Sequence, residues 1–128
     1  MLIIYNILYF CSMKKKLSLL IVHYHESEQL IKRALDSIKM QHNVNFDEIE
    51  VIVGNDGNDM ILSDELFNGY PFDLRYEVFE KRGISSCRNR LLEKAKGEYI
   101  IWMDGDDFYL NVLGIWSVMK EINNGGFD

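Results

Sequence analysis

Hydrophobic positions along the chain fall into blocks of two kinds. LSLLIVH (17–23) and EYIIWM (98–103) are nearly continuous apolar runs, the pattern of parallel strands buried on both faces. EIEVIVG (48–54) alternates and then turns apolar, whereas LRYEVFE (74–80) alternates throughout, which predicts a strand nearer a sheet edge. Elsewhere the period lengthens. After Ser27, a natural cap, Leu30, Ile31, Ala34, Leu35 and Ile38 form one helical stripe. A second helix is expected from about Ser85, with Ile84, Cys87, Leu91 and Ala95 on one face and Gly97 as its stop. A third runs from about Leu110 to Asn123 and carries Val112, Leu113, Trp116 and Met119. A short helical turn after Ser63 interrupts an otherwise irregular stretch from Asn55 to Asp73.

This succession predicts an α/β protein with an open, mostly parallel sheet flanked by helices. No internal repeat, low-complexity segment or linker breaks it, and 128 residues suffice for one domain with its own core. In such sheets ligands bind at the carboxyl ends of the strands. Three polar groups fall there: His23-Tyr24-His25-Glu26, Asn55-Asp56-Gly57, and Asp104-Gly105-Asp106-Asp107. Strands one, two and four are therefore expected side by side, with these groups on one rim.

Composition narrows the class. Hydrophobic residues at 48% and charged residues at 27% describe an ordinary soluble globular chain. A net charge of −6 leaves no basic stripe for phosphate backbones, so nucleic acid is not an expected partner. Cys11 and Cys87 have neither CxxC spacing nor a disulfide framework, which suits the cytoplasm. The apolar opening MLIIYNILYFCSM is too short to span a bilayer, and Lys14, Lys15 and Lys16 follow it where a secretory signal would carry charge ahead of it. An extra element, a peripheral contact at the inner face of the membrane and an upstream extension all fit. We favour the extension, dividing the chain into 1–13 and a domain at 14–128.

The rim suggests chemistry. In extended backbone residues i and i+2 point the same way, so Asp104 and Asp106 can converge while Gly105 admits a ligand closely. Hard carboxylate oxygens suit Mg2+ or Mn2+, often shared with substrate phosphates. The bland alternative is a solvated acidic turn in which Asp107 caps the next helix. Asn55-Asp56-Gly57 reads equally as a turn or as a hydrogen-bonding edge for a base or ribose. His23 and His25 are more simply satisfied histidines or stacking partners than metal ligands. Arg82, Arg88 and Arg90 surround a helix start, an arrangement suited to a diphosphate.

LSLLIVHYHESEQLIKRALDSIKMQ, EIEVIVGNDGND and KRGISSCRNRLLEKAKGEYIIWMDGDD together resemble the N-terminal half of family 2 glycosyltransferases, the GT-A fold. The likeness runs from about Lys16 to Asn123 and rests on the order and spacing of four motifs. It implies a Rossmann-like half that binds a nucleotide-diphosphate sugar with Mn2+ or Mg2+, for inverting transfer to a glycan or lipid-linked acceptor. By that resemblance Tyr24 lines the base pocket, Asp56 bonds the base, and Arg82 and Arg88 approach the base or diphosphate. Asp104 faces the ribose and shares the metal with Asp106, and Glu26 and Asn55 complete the substrate contacts.

The chain departs from the family pattern at Val22-His23-Tyr24-His25, where P-T-Y-N is usual, and at Asn55 and Asn58 in the second motif. It also ends where the family usually continues into an acceptor half carrying the general base. The expectation is therefore a truncated domain that binds a donor, transfers nothing at a useful rate alone, and self-associates through an uncovered apolar edge near Trp116 and Met119. A non-catalytic nucleotide-binding remnant is the rival reading. A receiver-like regulatory domain is disfavoured, because His23 and Tyr24 stand where its acidic pair would be.

Overall fold

The computed structural model describes residues 14–57 and 59–125. The expectations for the extension at 1–13, including Cys11, and for Asn58 lie outside the described residues. The order is β1 (Leu17–His23), α1 (Glu28–Lys39), β2 (Ile49–Asn55), β3 (Asp73–Val78), α2 (Ile84–Lys94), β4 (Tyr99–Asp104) and α3 (Gly114–Asn123). Short 3-10 turns cover Phe46–Glu48 and Asp64–Phe67. The sheet order is β3-β2-β1-β4 and every pairing is parallel. A parallel pair needs a crossover, and the helices supply it.

One face of the sheet carries Leu17, Leu19 and Ile21 of β1 and Ile49, Val51 and Val53 of β2. They pack against Ile31, Ala34, Leu35 and Ile38 of α1 and Ile115, Met119 and Ile122 of α3. The stripe read from the sequence is thus the buried face of α1, and Ser27 caps it, its Oγ accepting from Leu30 N at 3.4 Å. On the other face Leu20, Val22 and Ile52 meet Cys87 and Leu91 of α2. Gly54 permits that approach: a Cβ there would lie 2.8 Å from Leu91 Cδ2.

A buried charge ties the amino-terminal end of the sheet. Glu50 on β2 is fully enclosed, as is Ser18 opposite it on β1. Glu50 Oε1 accepts from Ser18 Oγ and Lys96 N, and Oε2 accepts from Arg75 Nη2 of β3 at 2.6 Å. Gly97 N donates to Ser18 Oγ at 2.9 Å. Burial alone would raise the Glu50 pKa, but the bonds from Lys96 and Ser18 and the Arg75 charge outweigh it and hold the carboxyl below its usual range.

Several elements differ from the sequence reading. β4 reads as buried on both faces but is an outer strand among the described residues, with Trp102 exposed. β3 is the other edge, as its alternation predicts. The second helix ends at Lys94 with Ala95 at its cap, so Gly97 is not the stop; its missing side chain instead lets the turn lie against β1, where a Cβ would meet Ser18 N at 2.5 Å. Ile84 is exposed at the start of α2 and outside its buried face. α3 begins only at Gly114, leaving Val112 and Leu113 in the preceding loop, and Met119 packs into the core where an uncovered face was expected. Among the described residues no helix is long and apolar enough to cross a membrane.

The Glu50 network yields a test. In Glu50→Gln the new NH2 must face either Arg75 or the donors Ser18 and Lys96, so at least one donor loses its acceptor. Unfolding free energy should fall by about 1–3 kcal/mol, read from urea midpoints at pH 7. Because the folded-state pKa lies below the reference value of 4.5, the stabilisation is fully present above that pH and is lost as pH falls through the folded value. The parent should therefore lose more stability on acidification below about pH 4.5 than Glu50→Gln does; parallel losses would show that the charge contributes nothing.

Candidate functional site

The rim groups meet because β1 is the central partner of both β2 and β4. His23 pairs with Asn55 and Val22 with Asp104 in the parallel registers. The chain then leaves each strand at nearly the same height. Asp56 N donates to His23 O at 3.3 Å and Gly105 N donates to Val22 O at 3.0 Å, extending the ladders past the strand ends.

Two sub-sites lie side by side there. The first is a hollow of about 330 Å3 lined by Val22, Tyr24, Asp56, Lys81, Gly83 and Ile84. Asp56 is almost fully buried, and its Oδ1 accepts from Arg82 N at 3.2 Å, so the loop after β3 is hung on this carboxylate. Gly57 makes that crossing possible: its φ is +69°, and a Cβ would sit 2.4 Å from Lys81 N. Tyr24 forms one wall, half-exposed, with His25 edge-on at 3.9 Å and Lys81 Nζ 6.0 Å from its ring centre. Beneath the hollow Cys87 has its thiol pushed up to about 11, first by burial and then by the Asp56 charge.

The second is acidic. Asp104, Asp106 and Asp107 are all exposed, and one carboxylate oxygen from each lies within 4.8 Å of the others. Asp107 does not cap a helix. Its Oδ2 accepts from Asp104 N at 3.3 Å while its own N donates to Asp104 O at 2.9 Å, which folds the acidic turn back on itself. Arg88 Nη2 of α2 reaches Asp104 Oδ1 at 3.4 Å, and Arg33 Nη2 of α1 holds the Asp106 carbonyl at 2.9 Å. Glu26 leans against the same turn, its Oε2 accepting from Tyr24 N at 2.7 Å. Gly105 makes room for it, since a Cβ there would lie 3.0 Å from Glu26 Cδ and 2.7 Å from Ile31 Cδ1.

Tyr24, Glu26, Asp56, Arg88, Asp104 and Asp106 are thus gathered around one cleft. Asn55, expected among the substrate contacts, is instead turned into the fold: fully buried, it donates through Nδ2 to Tyr76 Oη at 3.0 Å and Met60 O at 3.4 Å. Arg82 contributes its backbone N–H to Asp56, while its guanidinium pairs with Glu80 at 2.7 Å. Sequence reasoning missed Lys81 and Gly83, which wall the hollow; the K-R-G run beside Arg82 was the available signal. His23 is buried, in line with its reading as a histidine satisfied within the fold, and its Nε2 lies 2.9 Å from Glu26 O, where it fixes the turn carrying Tyr24.

A parallel α/β domain with a hollow walled by a tyrosine beside a carboxylate cluster at its strand ends belongs among the nucleotide-binding folds. The family model for glycosyl transferase family 2 matches residues 18–124, and the chain belongs to that family. It is 34% identical over 91 residues to the putative glycosyltransferase EpsH of Bacillus subtilis, covering 70% of this chain and 26% of EpsH. It is 33% identical to the teichoic acid poly(glycerol phosphate) polymerase of Staphylococcus epidermidis, covering 82% of this chain and 15% of that protein. Its fold superposes on the crystal structure of residues 1-349 of S. aureus TarS with a TM-score of 0.73 and 26% identity, over 85% of this chain and 32% of that one. The architecture is the GT-A fold, and the chain spans about a quarter or less of the length of these curated relatives.

The crowding at Gly105 can be tested directly. Gly105→Ala must displace either Ile31, in the core, or Glu26, beside the acidic turn. Overpacking of this kind costs about 1–3 kcal/mol, to be read from chemical denaturation. An unchanged midpoint would show that the Glu26 turn yields freely.

Proposed function

We propose that this chain binds a nucleoside diphosphate sugar at the carboxyl ends of β1, β2 and β4, as the donor-binding part of a glycosyltransferase. The observation that carries the reading is the juxtaposition of the Tyr24–Asp56 hollow with the Asp104–Asp106 turn. The hollow takes the base, with Tyr24 against its face and Asp56 accepting from a ring N–H. Asp104 meets the ribose. Arg88 and the open N-terminus of α2, which has no side-chain cap, face the diphosphate. S. aureus TarS, to which this fold is similar, has been crystallised with UDP and with UDP-GlcNAc, which makes UDP the first donor nucleotide to try.

The acidic turn fits a hard divalent cation by its donor chemistry, with carboxylate oxygens from Asp104, Asp106 and Asp107 within 4.8 Å. We assign Asp104 and Asp106 as the ligands of Mn2+ or Mg2+; such an ion, when bound, offsets the charge of the departing diphosphate. Arg33 and Arg88 hold the turn that presents these carboxylates. The buried thiol of Cys87 is free, in keeping with a reducing cytoplasmic setting. The acceptor side is assigned to no residue here. Binding without transfer is therefore the rival outcome for this chain by itself, and an acceptor-dependent release of nucleoside diphosphate over many turnovers would decide against it.

Donor binding is tested by thermal melts. A ligand specific for the folded state at 100 times its dissociation constant adds about 2.7 kcal/mol, so UDP with Mn2+ should raise Tm by several degrees and either alone by less. Asp106→Asn should abolish most of that coupling. Its carboxylate makes no hydrogen bond among the described residues, so apo stability should stay within about 0.5 kcal/mol of the parent or rise slightly. Equal shifts for UDP with and without Mn2+, or a coupling that survives Asp106→Asn, would overturn the assignment.

We extend the proposal to self-association. The outer edge of β4 carries no strand partner among the described residues, and Trp102 is exposed on it. Sedimentation velocity should show a concentration-dependent dimer; a clean monomer at about 100 μM would overturn it, because association would then be weaker than about −5.5 kcal/mol.

A further inference from the structure

At the opposite end of the sheet from the donor cleft lies a second hollow of about 330 Å3, at the lower end of the range for small-molecule sites. It is walled by Asn43 and Asn45 on one side and by Trp116, Asn123 and Asn124 on the other. Strands of seven residues rise about 3.3 Å per residue, so roughly 20 Å separates it from the Asp104 turn.

We propose that this hollow is a binding site for an uncharged carbohydrate, separate from the donor cleft. Its chemistry selects that class. Carboxamides each offer two N–H donors and a carbonyl acceptor, which matches sugar hydroxyls that both donate and accept. Trp116 is half-buried and supplies a flat apolar surface for the C–H face of a pyranose, with Met119 beneath. Glu48 and Lys120 are the charged groups lining the hollow, one of each sign, so neither an anion nor a cation is favoured. Lys120 Nζ lies 5.2 Å from the Trp116 ring centre and covers part of one face.

Local structure accounts for only some of these amides. Asn43 has a φ of +58°, a turn conformation asparagine tolerates, and Asn45 Oδ1 accepts from Asp47 N at 3.1 Å as a cap. The Asn45 NH2 group is not used by that cap. Asn123 is the last residue of α3 and lines the hollow. The four amides come from the turn after α1 and the end of α3, distant in sequence and convergent in space.

The site does not rest on the donor reading. Trp102 and Trp116 are the two tryptophans of the chain, so Trp102→Phe leaves Trp116 as the single reporter at the hollow. Maltohexaose and N-acetylchitohexaose are titrated against this variant of the full chain, with intrinsic fluorescence as the readout. A saturable change with at least one sugar, half-complete below about 5 mM, is expected. Adding Asn123→Ala, an exposed substitution that leaves the core intact, should weaken it at least tenfold. Adding Asp106→Asn should leave it unchanged. No saturable change with either sugar up to about 20 mM overturns the proposal. So does a response insensitive to Asn123→Ala, or one removed by Asp106→Asn, which would put the sugar in the donor cleft and leave the donor reading standing.

Discussion

A fully buried carboxylate must be given hydrogen-bond partners or the fold loses several kcal/mol, and Glu50 is such a group. Its partners come from β1, β3 and the turn before β4, so satisfying one side chain aligns all four strands of the sheet. Ser18 bonds Glu50 only when Leu17 stands opposite Ile49, which is the observed register. A one-residue slip would turn the carboxylate to the opposite face of the sheet and every apolar side chain with it. The polar knot at one end of the strands thereby sets the heights at which they finish at the other.

That alignment is what makes the cleft. Strand β1 ends between Asn55 and Asp104 because its register with both neighbours is in step, and the backbone continues the ladder through Asp56 and Gly105. Glycines then decide how closely the segments approach. Gly57 lets the loop carrying Lys81 cross over Asp56, and Gly105 lets Glu26 close on the acidic turn. The acidic turn itself is held by arginines from α1 and α2, Arg33 on a carbonyl and Arg88 on a carboxylate. Exposed pairs of this kind add little stability, which is consistent with a segment shaped for a ligand.

Much of this was legible beforehand. The strand ends were readable to within a residue or two because apolar runs stop abruptly at His23, Asn55 and Asp104, and one amphipathic stripe identified α1. Edge position was readable for β3, whose alternation reports one solvated face, whereas β4, read as buried on both faces, is outermost and only partly buried among the described residues. An apolar run says that a strand is suited to burial, and Trp102 shows that suitability is not occupancy. Gly97 was misread for a related reason. A glycine after a helical pattern looks like a stop, yet here its lack of a side chain serves a contact with Ser18, distant in sequence.

What the sequence determined by itself was local: which segments become strands and helices, which polar clusters terminate them, and hence which rim gathers those clusters. These follow from periodicity and from turn residues, properties of neighbours along the chain. Tertiary structure alone decided which polar groups face the cleft and which the fold consumes. Asn55 and Asp56 are adjacent and equally polar, but the alternation of strand backbone turns one toward Tyr76 and leaves the other at the hollow. Arg82 and Arg88 were equivalent candidates until Glu80 paired with the first and Asp104 with the second. Such choices depend on partners far apart in sequence, and no local pattern encodes them.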